Sequence, residues 1–244
     1  MSALARPGLY GVGVGPGDPR WLTLRAAEVL RAADVIALPR GERAAASRTL
    51  AIVGKLLDRG RQHFLELPFA TTGGSEAAEV SRGAIYEMVA AALAAGRAVA
   101  FPLLGDPLLY GSFGHLLARV RERLPAVPVE IVPGVTAFTA AAARAGRPLV
   151  QGDERLVVLP AVYEEDLAAL RDTLRRFDTT VLLKVNRCVD EVLDVLDELG
   201  LTGAAWYAEN VGMAEERFAP DVRALRGHDL PYFSLLVVRG RGAR

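Results

Sequence analysis

The sequence predicts an α/β fold with two domains, the first built on a largely parallel sheet and the second on a mixed sheet. Short apolar runs alternate with helix-length amphipathic segments, which is the pattern of strands joined by helical crossovers. The length of 244 residues suits one or two domains. A polar stretch with Gly146, Pro148 and Gly152 separates the two halves. We therefore expect an N-terminal domain over 1–148 and a C-terminal domain over 149–244.

The first domain is predicted to repeat the order strand, loop, helix. Thr23 can cap a helix that places Leu24, Ala27 and Leu30 on one face, and Gly96 ends a long alanine-rich helix. Pro39 is expected to stop the second strand. The predicted strands are 9–14, 35–38, 63–65, 98–103 and 129–132, and the helices are 23–33, 49–57, 75–96, 112–123 and 136–145.

The second domain is predicted to combine four strands with two helices. The strands are 156–159, 180–185, 204–208 and 232–238, and the helices are 164–177 and 189–199. The segment 209–218 would add a further strand, which makes the sheet mixed.

Composition limits the classes of function. Lys plus Arg equal Asp plus Glu at 29 each, so no global field attracts nucleic acid or an acidic membrane, and an anionic ligand must meet local charge. The single cysteine, Cys188, closes no disulfide within the chain, and the three histidines show no metal-ligand spacing. No stretch approaches the ~18 apolar residues of a membrane span. We expect a cytoplasmic protein without a bound metal.

Three loops that follow strands are the candidates for ligand binding. In an open parallel sheet, ligands bind beyond the carboxyl ends of the strands. The first loop, 13–19, lacks the third glycine of a dinucleotide fingerprint, because Pro16 or Asp18 stands there. The second, 104–112, carries Asp106, which either folds the turn or accepts hydrogen bonds from a ligand. The third, 133–137, contains Thr136, an adequate helix N-cap. All three belong to one edge and are expected to form one pocket.

These three motifs, in this order, closely resemble the tetrapyrrole methylases, S-adenosylmethionine-dependent enzymes with two α/β domains and a cleft between them. The segments 146–156 and 231–235 are similar to the branch that methylates C20 of precorrin-2 in cobalamin synthesis. The segment 70–74 departs from the family pattern, which puts the substrate side in question and not the cofactor side. The resemblance also implies a homodimer acting on a small-molecule tetrapyrrole.

The resemblance implies a set of binding residues and assigns no catalytic residue. The cofactor contacts would be Pro16, Leu104, Gly105, Asp106, Leu109, Thr136 and Ala137, with Lys184 and Ser234 from the second domain. Precorrin-2 carries many carboxylates, so a neutral protein needs local cations, and Arg40 and Lys184 stand at predicted strand ends. The candidate substrate contacts are Arg40, Tyr110, Lys184 and Glu209.

Other functions remain open at the level of sequence. Within the family there are two alternatives. The substrate is the cobalt-containing form of precorrin-2, or the methyl group is transferred to another ring position. A non-catalytic sensor of S-adenosylmethionine or a nucleotide would bind without turnover. A nicotinamide oxidoreductase is disfavoured by the missing third glycine.

Overall fold

The computed structural model describes residues 7–41, 48–69, 75–161 and 166–240. The chain divides into two compact units, Met1–Thr136 and Ala137–Arg244. This boundary precedes the helix Ala137–Ala145, whereas the sequence placed it after residue 148. Gly146, at a φ of 62°, follows the end of that helix, so the glycine and proline cluster marks a helix end and not the junction of the units.

The first unit contains a five-stranded parallel sheet, as expected for its alternating pattern. The strand order is β3-β2-β4-β1-β5. The strands are β1 (Gly8–Gly13), β2 (Val35–Gly41), β3 (His63–Phe69), β4 (Ala98–Leu103) and β5 (Val129–Val132), and the helices are α1 (Leu24–Ala32), α2 (Arg48–Val53), α3 (Ser75–Ala94) and α4 (Phe113–Arg123). Every residue of β1 and β4 is buried, because helices cover both faces of the sheet.

Two apolar clusters fill the two faces of this sheet. Phe101 of β4 packs with residues of α3 and α4, and the preceding Ala100 belongs to the cluster formed with α1 and α2. This alternation follows from the two-residue period of a strand. Gly11 of β1 leaves the space that the Phe113 ring occupies.

Local chemistry sets the ends of two elements. The Thr23 hydroxyl accepts a hydrogen bond from the Ala26 amide at 3.1 Å and caps α1 as predicted. The prediction that Pro39 stops β2 is wrong, because the strand continues to Gly41. Beyond Ile36, β2 pairs with β3 only, and a strand with one free edge tolerates a residue that has no amide proton.

The second unit contains a five-stranded mixed sheet in the order β6-β7-β10-β8-β9. The strands are β6 (Leu156–Pro160), β7 (Thr179–Leu183), β8 (Ala205–Glu209), β9 (Arg217–Ala219) and β10 (Ser234–Arg239), and the helices are α5 (Ala137–Ala145), α6 (Leu167–Arg176) and α7 (Val189–Leu199). Among the described strands only β6 and β7 are parallel. The extra strand expected in 209–218 is the short β9, which overlaps only the end of that segment. The fully buried Leu170, Leu193 and Tyr207 belong to one core formed by this sheet, α6 and α7.

An ion pair joins the last residue of β10 to the segment that precedes β6. Arg239 donates to both carboxylate oxygens of Glu154 at 2.9 Å and to the Pro148 carbonyl at 2.9 Å. Across the parts of the chain that are described, no helix is both long enough and apolar enough to cross a membrane.

The loops that follow β1, β4 and β5 touch backbone to backbone at three glycines. A Cβ atom at Gly13 would lie 2.5 Å from the Gly134 nitrogen and 2.8 Å from the Gly105 oxygen. A Cβ at Gly134 would lie 2.8 Å from the Gly13 Cα and closer still to the Gly105 oxygen. We call Gly13, Gly105 and Gly134 the glycine contact. Only residues without a side chain at 13 and 134 allow the three loops to meet this closely.

Gly134→Ala is expected to lower the free energy of unfolding by about 3 kcal/mol, because backbone atoms cannot move aside as a side chain can. Chemical denaturation measures this change. The control is Gly114→Ala in α4, where no atom lies within 4 Å of the added Cβ. That control is expected to be neutral or to stabilise by up to about 1 kcal/mol. Equal unfolding free energies for the two variants would contradict the glycine contact.

Candidate functional site

The first candidate region lies at the carboxyl ends of β1, β4 and β5, which are neighbours in the parallel sheet. An antiparallel bridge joins the first two loops: the Gly105 amide donates to the Gly15 carbonyl at 2.9 Å, and the Gly15 amide donates to the Gly105 carbonyl at 3.4 Å. Both glycines have positive φ, 75° and 68°, which side chains disfavour. The bridge therefore fixes where the two loops leave the sheet.

The Asp106 carboxylate joins the second loop to the third. One oxygen accepts from the Leu108 amide at 2.9 Å, and the other accepts from the Gly134 amide at 3.1 Å. Asp106 thus folds its own turn, which is one of the two roles that the sequence left open, and it also holds the third loop. Its role in binding a ligand stays a prediction. Each carboxylate oxygen keeps further acceptor capacity for a ligand.

Three large apolar side chains that follow Asp106 in the sequence face solvent. Leu108 is 57% exposed, Leu109 37% and Tyr110 47%. Tyr110 also has a φ of 53°, in the left-handed region that costs a non-glycine residue energy. Exposed apolar groups on strained backbone are typical of ligand-binding loops.

The remaining predicted residues of the first unit differ in accessibility. Pro16 is buried, and Leu104 and Thr136 are half-buried. The Asp18 carboxylate accepts from the Arg20 amide at 2.9 Å and pairs with the Arg20 guanidinium, so it serves as a cap. Arg40 has its backbone in β2, and its side chain lies outside the described part of the structure, as does the segment 70–74.

The second candidate region lies at one edge of the mixed sheet, where β7 and β8 end and β10 begins. Lys184 and Asn210 follow β7 and β8 and have φ values of 61° and 50°. The Lys184 amide donates to the Ser234 carbonyl at 2.8 Å, and the Asn210 amide donates to the Phe233 carbonyl at 2.9 Å. Two residues in left-handed conformations therefore hold the start of β10 from both sides. Ala137, at the start of α5, belongs to the same unit.

Glu209 is buried and has its own partners at this edge. Its carboxylate accepts from the Tyr207 hydroxyl, and from Nε and Nη2 of Arg217 at 3.0 Å each. Burial raises the pKa of the Glu209 carboxyl, but the hydrogen bonds from Arg217 and Tyr207 outweigh it and hold that pKa below its ordinary value. Burial and the bond to Glu209 raise the pKa of the Tyr207 hydroxyl. Glu209 is thus an ionised, paired carboxylate.

Ser234 lies opposite Glu209 in the antiparallel register of β10 and β8. Its hydroxyl is buried and has no hydrogen-bond partner among the described residues. The sequence predicted Ser234 and Glu209 as binding residues but gave no indication of Arg217 or Tyr207. Only the register of β8 with the three-residue β9 places Arg217 opposite Glu209, and no periodicity in so short a strand reveals this.

No group of three or more His, Cys, Asp or Glu side chains is close enough to hold a metal ion within the residues that the structure describes. The two candidate regions are thus the loop edges described above, and each has a carboxylate, Asp106 or Glu209, that is engaged in local hydrogen bonds.

A family model covers most of the chain. Residues 8–224 match the model described as Tetrapyrrole (Corrin/Porphyrin) Methylases.

Curated relatives match over nearly the whole chain. A precorrin-2 C(20)-methyltransferase from Sinorhizobium sp is 38% identical and is aligned over 98% of both chains. A cobalt-precorrin-2 C(20)-methyltransferase from Salmonella typhimurium is 32% identical over 94% of this chain and 95% of the relative. The cobalamin biosynthesis protein CobIJ of Mycobacterium bovis is 37% identical over 97% of this chain. The chain spans about half, 46%, of the length of that relative.

Solved structures have the same architecture. A cobalt precorrin-4 methyltransferase, CbiF, superposes with a TM-score of 0.73 at 21% identity, over 95% of this chain and 94% of the other. A uroporphyrin-III C-methyltransferase from Thermus thermophilus gives a TM-score of 0.69 at 27% identity, over 96% and 92%. The family model and the relatives agree over nearly the full length, and the chain belongs to the tetrapyrrole (corrin/porphyrin) methylase family.

Proposed function

We propose that this chain transfers a methyl group from S-adenosylmethionine to C20 of precorrin-2 in cobalamin biosynthesis. The observation that carries the proposal is the loop edge of the first unit, where the Gly15–Gly105 bridge and the Asp106 carboxylate support the exposed segment 108–110. The end-to-end similarity to the Sinorhizobium enzyme supports the choice of substrate and carbon.

The residues at the first edge fit S-adenosylmethionine. A Cβ added at Gly105 would meet nothing nearer than the Val135 carbonyl at 4.0 Å, so the backbone there has an open side for a ligand. Leu104, Leu109 and Thr136 offer partly exposed surface around it. Buried Pro16 would shape the first loop, and Ala137, Lys184 and Ser234 are the proposed contributions of the second unit.

Alignment is the proposed catalytic device. S-adenosylmethionine supplies a methyl group on a positively charged sulfur, and this charge disappears as the methyl group moves. Strong binding of the cation would therefore stabilise the ground state more than the transition state. Asp106 shares its charge with two backbone amides, which suits positioning better than direct neutralisation. Well-oriented reactants reach effective molarities of ~10⁵ M or more, worth roughly 7 kcal/mol or above.

We propose that Glu209 supports the second edge without contacting the substrate. Its carboxylate already accepts three hydrogen bonds, and its side chain is only 11% exposed. The proposed substrate contacts are Arg40, Tyr110 and Lys184. Tyr110 and Lys184 are at least partly accessible in the structure.

A second candidate substrate is cobalt-precorrin-2, on the strength of the Salmonella relative. Because the metal would arrive inside the macrocycle, the protein needs no metal site of its own for either substrate. We further propose that the chain is a cytoplasmic homodimer without a bound metal, on the strength of the family resemblance and of the single cysteine, Cys188, which is buried and forms no disulfide within the chain.

Anaerobic incubation with S-adenosylmethionine and either precorrin-2 or its cobalt form tests the activity. We expect a mass gain of one methyl group on precorrin-2, with a changed absorption spectrum, and NMR would assign the methyl group to C20. A gain on the cobalt form alone would select the second candidate. Bound S-adenosylmethionine without a mass gain on either substrate would favour another ring position or a sensor.

Asp106→Ala is expected to weaken S-adenosylmethionine binding at least tenfold, about 1.4 kcal/mol, because the second and third loops lose their shared acceptor. Isothermal titration calorimetry measures the affinity. The control is Asp58→Ala, because Asp58 accepts from the Gly60 amide at 2.9 Å in a turn of the same spacing away from this edge. Unchanged affinity in folded Asp106→Ala would remove Asp106 from the site.

Glu209→Gln is expected to lower the free energy of unfolding at pH 7 by about 2 kcal/mol, because a buried carboxylate loses charged hydrogen bonds. The folded-state pKa is lowered, so this stabilisation exists above the pKa of the unfolded chain and disappears as the pH falls through the folded pKa. The difference between variant and parent should therefore shrink below about pH 4. Denaturant unfolding across this pH range measures it.

The control for this prediction is Asp172→Asn. Asp172 pairs with Arg176 on the exposed surface of α6, so the expected change is below about 0.5 kcal/mol. A Glu209→Gln enzyme with parental stability and a raised KM for the tetrapyrrole would instead make Glu209 a substrate contact.

A further inference from the structure

Two aromatic side chains project into solvent immediately before β10. Tyr232 is 53% exposed and Phe233 is 38% exposed, although the next five residues of the strand are buried. Their rings meet edge to face, with centroids 5.2 Å apart and planes at 84°. Large aromatic surfaces are normally buried, so an exposed pair of defined geometry indicates a binding surface.

The backbone presents this pair rigidly. The Asn210 amide bonds the Phe233 carbonyl on one side, and the Lys184 amide bonds the Ser234 carbonyl on the other. Both donor residues hold left-handed conformations, which persist only where the surroundings impose them. An aromatic pair whose backbone is fixed in this way loses little conformational entropy when a ligand binds.

The ammonium group of Lys184 lies over the Tyr232 ring. Lys184 Nζ is 5.4 Å from the centroid of the Tyr232 ring. Among the residues that the structure describes, no carboxylate forms an ion pair with Lys184, and the nearby Glu209 is already bound to Arg217 and Tyr207. The surface therefore combines an exposed tyrosine ring with a positive charge that forms no ion pair among the described residues.

We propose that Tyr232 is a specificity-determining residue that stacks on the ring system of the tetrapyrrole substrate while Lys184 pairs with one of its carboxylates. This inference rests on the proposed function. A flat macrocycle edged with carboxylates matches both properties of the surface. S-adenosylmethionine matches the charge less well, because its sulfonium and amino groups are cationic and it offers Lys184 only a single carboxylate.

The test measures binding without turnover. The probe is uroporphyrin, a stable planar macrocycle with eight carboxylates, and its affinity is read from quenching of its fluorescence by the full-length protein. S-adenosylhomocysteine affinity is measured in parallel by calorimetry. We expect Tyr232→Leu to weaken uroporphyrin binding about tenfold and Tyr232→Phe to retain it, because the ring is the contacting group. S-adenosylhomocysteine binding should stay within about twofold of the parent.

Lys184→Met tests the charge. It is expected to weaken uroporphyrin binding about tenfold, to weaken binding of the tetracarboxylate coproporphyrin less, and to reduce the salt dependence of the affinity. Lys55→Met is the matched control, because Lys55 is the only other lysine of the sequence and is exposed beside α2. This control should bind uroporphyrin as the parent does.

Several outcomes would overturn the inference. These are a parental protein that does not bind uroporphyrin, a Tyr232→Leu variant that binds it unchanged, and a loss confined to S-adenosylhomocysteine. A shift in molar mass of Tyr232→Leu by light scattering would assign the pair to a contact between copies of the chain. Uroporphyrin binding by a protein that does not methylate precorrin-2 would reject the proposed function and leave the stacking result intact. In an active enzyme, Tyr232→Leu should raise KM for the tetrapyrrole more than it lowers kcat.

Discussion

The close approach of Gly13, Gly105 and Gly134 is the constraint on which the first candidate region depends. Three parallel strands end side by side, and their loops can turn across one another only where no Cβ intervenes. This contact brings the Gly134 amide within hydrogen-bond distance of Asp106. The glycines therefore serve loop packing first. The features that would face a ligand follow from this packing: the open side of Gly105 and the exposed apolar segment 108–110.

The second unit reaches a similar result by different means. At its edge, Lys184 and Asn210 in left-handed conformations fix the start of β10. Such residues cost of order 1–3 kcal/mol each. The ion pair between buried Glu209 and exposed Arg217, together with the Tyr207 hydroxyl, joins β8 to β9 next to Asn210. Both edges thus use a carboxylate to hold backbone or strands in place.

Much of the fold was predictable because burial imposes periodicity. The ranges of β4, β5 and α7 agree with those predicted, since each is a strongly apolar or amphipathic run with clear ends. The end of β2 was not predictable, because tolerance of Pro39 depends on which neighbour the strand has at that point. The partners of Asp106 and Glu209 were also hidden, since they come from cross-strand and cross-loop neighbours. Left-handed backbone at Tyr110 and Lys184 has no marker in residue type, whereas Asn, the residue at 210, is enriched in that region.

The distribution of charge at the two edges bears on the chemistry. Asp106 and Glu209 are both engaged in hydrogen bonds within their own unit. Lys184 instead lies over an exposed ring, without an ion-pair partner among the described residues. An arrangement that leaves aromatic surface and positive charge for the ligand suits a planar polyanion. It also suits methyl transfer, because a cationic donor that loses its charge in the transition state gains nothing from a strong anionic partner.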